Sequence, residues 1–206
     1  MRPSCMYRSS AQFRRTPAER ADQLLSWNRD DVRFFAAGAC HILAFAFLEV
    51  YPEAGFGIVG VWARGEAHPM HVYVTDGEWA FDFEGWAPVD ELLAVTRAAE
   101  PDAGYEQRPI EAGLSAFCRV YNHRDRPYYA FDPWQRALRY IAQFPALDEH
   151  RATLTSQRRY TPIAGGHRHG EGLDDRCVKT DLGTLITALY VKSTRRSPIA
   201  GAGAHR

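Results

Sequence analysis

The sequence predicts an α+β domain: a buried helix carrying a cysteine, packed on a small antiparallel sheet and flanked by further helices. Three observations carry this. Ala36–Val50 is apolar on nearly every side (Ile42, Leu43, Phe45, Phe47, Leu48), which marks a helix enclosed by protein. Residues 71–75 and 78–83 alternate in polarity on either side of Asp76-Gly77, the pattern of two strands joined by a tight hairpin. Asp132-Pro133-Trp134-Gln135 supplies a cap, a proline at the first helical position and a glutamine at the third, a capping-box opening.

The elements follow in order. Residues 1–26 are rich in Arg and Ser and are expected to form a basic, partly disordered arm. The buried helix of 36–50 ends at Pro52 and Gly55. Residues 56–63 are rich in Ile and Val and read as a strand. The hairpin covers 71–83, and Val89–Ala99 reads as a helix. Residues 104–131 fit no single period. The helix opened by Asp132 buries Trp134, Leu138 and Ile141 and stops before Pro145. The domain is expected at 27–148, followed by a basic tail at 149–206. Within the tail, Leu182, Leu185, Ile186 and Leu189 follow i, i+3, i+4, i+7 behind Asp181, so a short helix is expected near 181–192.

Charge and composition narrow the functional classes. Lys+Arg and Asp+Glu each number 25 among 206 residues, so the formal net charge is zero. A strongly basic nucleic-acid binder is not expected. The balance conceals a segregation: residues 1–30 carry +3, residues 31–150 carry −9 and residues 151–206 carry +6. No apolar run approaches the roughly 18–20 residues that span a bilayer. The first ten residues lack the apolar core of a secretory signal, and the four cysteines (Cys5, Cys40, Cys118, Cys177) form no CxxC pair. A cytoplasmic protein with reduced thiols is expected.

The chemistry-bearing residues cluster on two of these elements. A two-residue Asp76-Gly77 turn pairs Val74 with Trp79, Val72 with Phe81 and His71 with Asp82. Directly opposed residues share a face, with Cβ atoms about 4.5–5.5 Å apart. Val72, Val74, Trp79, Phe81 and Phe83 then occupy the core face. Cys40 stands near the start of the buried helix, where free N–H groups and the helix dipole favour a thiolate. Gly38 permits close approach of a backbone or substrate. With the sheet packed on this helix, Cys40, His71 and Asp82 meet as nucleophile, base and orienter. Glu84, two residues beyond Asp82, is the alternative orienter should the turn be longer. Asn28 and Arg33 are candidate oxyanion donors, and Trp62, Trp79 and Trp86 are candidate cleft walls. His41 reads as a packing residue or a donor to the site.

The bland readings stand beside these. Cys40 alone reads as an inert buried thiol. His71 and Asp82 alone read as a structural cross-strand pair worth about 0.2–1 kcal/mol. Cys5, Cys118 and Cys177 have no hairpin histidine nearby and read as structural or incidental. No metal is expected: His68 and His71 are wrongly spaced for one site, and His167, His169 and Cys177 lie in a Gly-rich tail. No cofactor motif is present.

Gly38-Ala-Cys40-His-Ile-Leu-Ala44 is similar to the Gly-x-Cys-x-x-x-Ala nucleophile motif of the transglutaminase-like branch of the papain-like thiol enzymes. His71-Val-Tyr-Val and Glu78-Trp-Ala-Phe-Asp82 resemble that branch's His and Asp strands. The resemblance covers about 36–85, a quarter of the chain. Its hairpin is tighter than usual, and His41 replaces the aromatic residue that often follows the nucleophile. The Asp-Cys-Ser-Gly motif of the cell-wall amidase branch is absent. The resemblance implies a papain-like core and a thiol hydrolase or acyltransferase acting on an amide or thioester through Cys40, His71 and Asp82, with a peptide or protein substrate. The alternative is a non-catalytic interaction protein on the same fold, its acidic domain docking a basic partner. Substrate, acyl acceptor and oligomeric state are not legible in the sequence.

Overall fold

A computed structural model describes residues 7–52 and 54–159. Its one sheet has five antiparallel strands: β1 (Gly57–Trp62), β2 (His71–Thr75), β3 (Trp79–Asp82), β4 (Gly85–Pro88) and β5 (Glu106–Ile110), in spatial order β4-β3-β2-β1-β5. The helices are α1 (Pro17–Ala21), α2 (Gln23–Trp27), α3 (Asp31–Ala36), α4 (Cys40–Val50), α5 (Val89–Ala99), α6 (Leu114–Val120), α7 (Pro133–Ile141) and α8 (Leu147–Arg159). The α+β class is therefore that of the described residues.

The all-round apolarity of α4 follows from its position. Ile42, Leu43 and Phe47 share one core with Ile58, Trp62, Val72, Val74 and Phe81 of the sheet. Phe35 of α3, Phe117 of α6 and Ala137, Tyr140 and Ile141 of α7 belong to the same core. No side of α4 is left for a polar stripe. The opposite face of the sheet, with Val61, Tyr73, Ala80 and Ala87, packs on Leu92 and Leu93 of α5.

Three boundaries differ from the sequence reading. The expected helix over 36–50 is two helices. Gly38, at φ +119°, separates α3 from α4, so Cys40 is the first residue of α4. The hairpin register is shifted by two: Val74 pairs with Phe81 and Thr75 with Ala80. The cause is the Asp76 carboxylate, whose Oδ1 accepts from the Glu78 and Trp79 N–H groups (2.9 and 2.8 Å) and closes a wider turn. The two-residue hairpin lies further on, at Phe83-Glu84, where Asp82 pairs with Gly85 and β4 begins.

The domain also extends beyond 27–148 at both ends. From Tyr7 onward, the expected arm is packed: Tyr7 is 5% exposed and joins the α5-side core. Arg29 donates to the Phe13 and Ala37 carbonyls, tying this segment to the α3–α4 link. Average polarity does not register such single anchors. At the other end α8 runs through 148. His150 packs on Trp79 (5.4 Å), and Arg151 meets Asp76 (3.1 Å) and Glu78 (3.3 Å). The chain divides into two units, Met1–Thr161 and Pro162–Arg206; the second, with the expected helix near 181–192, lies outside the described residues.

Residues 104–131 resisted a period because β5 is an edge strand in which only Ile110 is buried. Pro109 is tolerated there because an edge strand leaves some N–H groups unpaired. Among the described residues no helix is long and apolar enough to cross a membrane.

The Trp62 ring lies over Gly60, and a Cβ there would meet it at 2.5 Å. Gly60→Ala should therefore cost about 1–3 kcal/mol, lowering Tm by about 2–12 °C. Gly57→Ala meets nothing within 4 Å and should leave Tm nearly unchanged in the same calorimetric scan.

Candidate active site

Cys40 occupies the first turn of α4, whose N-cap, Ala39, offers no side-chain hydrogen bond. The intrahelical ladder begins with the Leu43 N–H donating to the Ala39 carbonyl (3.1 Å), so the Cys40 N–H makes no bond within the helix. The Gly38 carbonyl accepts from the Tyr129 hydroxyl (2.6 Å), which helps set the entry of the chain into α4.

His71 is the first residue of β2 and projects to the same face as Tyr73, away from the Val72 and Val74 that pack with α4. The shift of register by two preserves side-chain parity, so His71 and Asp82 still share a face. They meet diagonally, not as directly opposed partners. His71 Nε2–H donates to Asp82 Oδ2 (2.8 Å), and both side chains are 2% exposed. The Tyr7 hydroxyl donates to the same oxygen (2.6 Å), and the Glu84 N–H donates to Oδ1 (2.9 Å). Glu84 does not replace Asp82: its carboxylate is held by Arg8 at 2.7 Å.

The Cys40 thiol lies beside two imidazoles, His71 and its own neighbour His41. Each ring has its Nε2 engaged, His71 with Asp82 and His41 as donor to the Arg124 carbonyl (2.8 Å). Neither Nδ1 has a hydrogen-bond partner, so both nitrogens remain unpaired in the buried site. Burial pushes the thiol up, but the polar and charge interactions of His41 and His71 together outweigh it and hold Cys40 well below the ordinary thiol range. Burial likewise pushes His71 down, while Asp82 and Cys40 overcome this and raise it to about 10. Both directions favour negative charge on the Cys40 sulfur and a proton on His71. Cys118 is the opposite case: burial first, then the Asp125 charge, drive it up to about 12. Cys5 and Cys177 lie outside the described residues.

A cleft of about 520 Å³ opens over Cys40, lined among others by Arg15, Gly38, His41, His123 and Arg124. Cys40 is 6% exposed and is the member of the trio that lines this cleft; His71 and Asp82 are not among its lining residues. The proposed oxyanion donors are elsewhere. Arg33 pairs with Asp30 (3.5 Å), and Asn28 lines a separate cleft with Asp31 and Arg136. No tryptophan lines the Cys40 cleft. Trp62 is a core residue against Tyr121, Trp79 packs on His150, and Trp86 packs on Phe47 and Phe81. Among the described residues no three metal-ligating side chains converge, and His167, His169 and Cys177 lie outside them.

Sequence reasoning missed Tyr7, Arg15 and Arg124. Each reaches the site across a long separation, and no local pattern marks it. For His41 the adjacency to Cys40 was the available signal.

Cys40 should be alkylated by iodoacetamide at pH 6 faster than a free thiol, measured with Cys5, Cys118 and Cys177 replaced by Ala. His71→Ala should move the profile up toward the ordinary thiol range near about 8.5. Comparison with family models, with curated proteins and with solved structures finds no match for this chain.

Proposed function

We propose that this protein is a thiol hydrolase or acyltransferase acting on an amide or thioester, with peptide hydrolysis the first reading. The observation that carries it is Cys40 at a helix N-terminus, backed by a buried imidazole that is itself hydrogen-bonded to Asp82 at 2.8 Å. The resemblance of 36–85 to transglutaminase-like enzymes supports the same reading and a papain-like core.

The Cys40 thiolate attacks the carbonyl carbon, and the C=O pair moves onto oxygen. The Cys40 N–H is the donor placed to receive that oxyanion. Collapse of the tetrahedral intermediate breaks the C–N or C–S bond, and His71 Nδ1 gives its proton to the leaving atom. The acyl group is now a thioester on Cys40. Water, or an amine, gives a proton to His71 Nδ1 and attacks that thioester. Collapse expels the thiolate and releases the acid or the new amide. Asp82 and Tyr7 are positioning residues: they hold Nε2–H in place and leave Nδ1 toward the sulfur.

p-Nitrophenyl acetate, as an activated acyl donor, should give a burst of nitrophenol and an acetyl adduct on Cys40 by mass spectrometry. Cys40→Ala should lose both with an unchanged circular dichroism spectrum. An unreactive wild-type thiol would overturn the reading and leave the interaction protein. His71 must be protonated to serve the leaving group, and its value is raised to about 10. Activity should therefore persist through neutral pH and fall as pH rises through about 10, and on the acid side it should fall as Cys40 gains its proton.

A further inference from the structure

Six arginines are half-buried among the described residues. Four of them lie against a carboxylate: Arg29 against Glu19, Arg126 against Asp132, Arg136 against Asp31, and Arg151 against Asp76 and Glu78. The other two, Arg15 and Arg124, have no carboxylate partner among the described residues, and both line the cleft over Cys40. Among the described residues no Asp or Glu lines that cleft with them.

Both guanidiniums are held in place. Arg15 fills the space beside Gly38, 3.1 Å from where a Cβ would stand, two residues before the nucleophile. Arg124 lies over the Tyr129 ring (5.2 Å) and donates to Gln23 Oε1. Its carbonyl receives the His41 Nε2–H, so the residue is tied to the nucleophile's neighbour. Burial, and then the charge of Arg124, push Arg15 down from its ordinary value. A bound anion removes that repulsion. Two guanidiniums converging on one cleft suit a carboxylate, which accepts from Arg in a bidentate fork.

Resting on the thiol-enzyme reading, we infer that Arg15 and Arg124 form a carboxylate subsite, so that the substrate bears a carboxylate close to the carbonyl that Cys40 attacks. Two sources share this chemistry: the C-terminal α-carboxylate of a leaving residue, and an Asp or Glu side chain beside the scissile bond.

Iodoacetate and iodoacetamide test this directly, because they differ by a carboxylate next to the electrophilic carbon. For each, the alkylation rate of Cys40 is measured in the full chain lacking the other three cysteines, with glutathione as the free-thiol reference. The expected iodoacetate-to-iodoacetamide ratio exceeds that of glutathione by about tenfold, the factor that 1.4 kcal/mol represents. Arg15→Gln and Arg124→Gln should each return the ratio toward that of glutathione, while Arg15→Lys retains part of it. A reactive, His71-dependent thiolate with a ratio at or below glutathione overturns the subsite and leaves the thiol enzyme standing. An ordinary, His71-independent thiol overturns the enzyme reading itself. Protection against iodoacetamide by N-acetylalanine or by N-acetylglutamic acid α-amide then names the source, terminal or side-chain, by whichever acts at the lower concentration.

Discussion

Enclosing an imidazole and a carboxylate beneath the sheet surface carries a desolvation cost that their mutual attraction does not recover unless the remaining hydrogen-bonding positions are filled. Here they are filled on the Asp82 side. The carboxylate accepts from His71, from the Tyr7 hydroxyl and from the Glu84 N–H. Each of these donors comes from a different part of the chain. The first needs β2 in its register, the second needs the N-terminal segment folded back over the sheet, and the third needs the tight Phe83-Glu84 turn. A single buried carboxylate thus makes three local structures depend on one another.

The second consequence is electrostatic. With Asp82 saturated, the His71 ring has one free nitrogen, and it lies beside a sulfur at a helix N-terminus. Helix dipole, His71 and His41 all favour negative charge on Cys40. The surrounding cleft carries the same sign of preference, through Arg15 and Arg124. The domain as a whole is acidic, yet the walls around Cys40 are basic. This contrast marks the Cys40 cleft more sharply than net charge does.

Much of this was legible in the chain, at the level of pattern. The apolar helix, the alternating strands and the capped Asp132 helix are each dictated by a short run of residues, and Val89–Ala99 forms as its spacing implies. The pairing of His71 with Asp82 survived an error in register, because a shift of two leaves every side chain on its own face. The edge strand β5 and the helix α8 were not legible: few of their residues are buried, and an exposed element carries no clear hydrophobic period. Asn28 and Arg33 were placed near the site by proximity in sequence, which the break at Gly38 and the separate turn of α3 nullify.

By itself the sequence determined which residues are chemically capable and on which kind of element each sits: Cys40 near the start of a buried helix, His71 and Asp82 on one face of adjacent strands. Those facts depend on periodicity and local sterics, which act within a dozen residues. Only the tertiary structure decided that the thiol meets both His71 and His41, that Tyr7 completes the Asp82 carboxylate, and that Arg15 and Arg124 face the cleft. Apart from the adjacent Cys40 and His41, these contacts join residues that are 25 to 84 positions apart. Hydrogen bonding and charge at that range are set by how layers stack, and no run of neighbouring side chains encodes the stacking on its own.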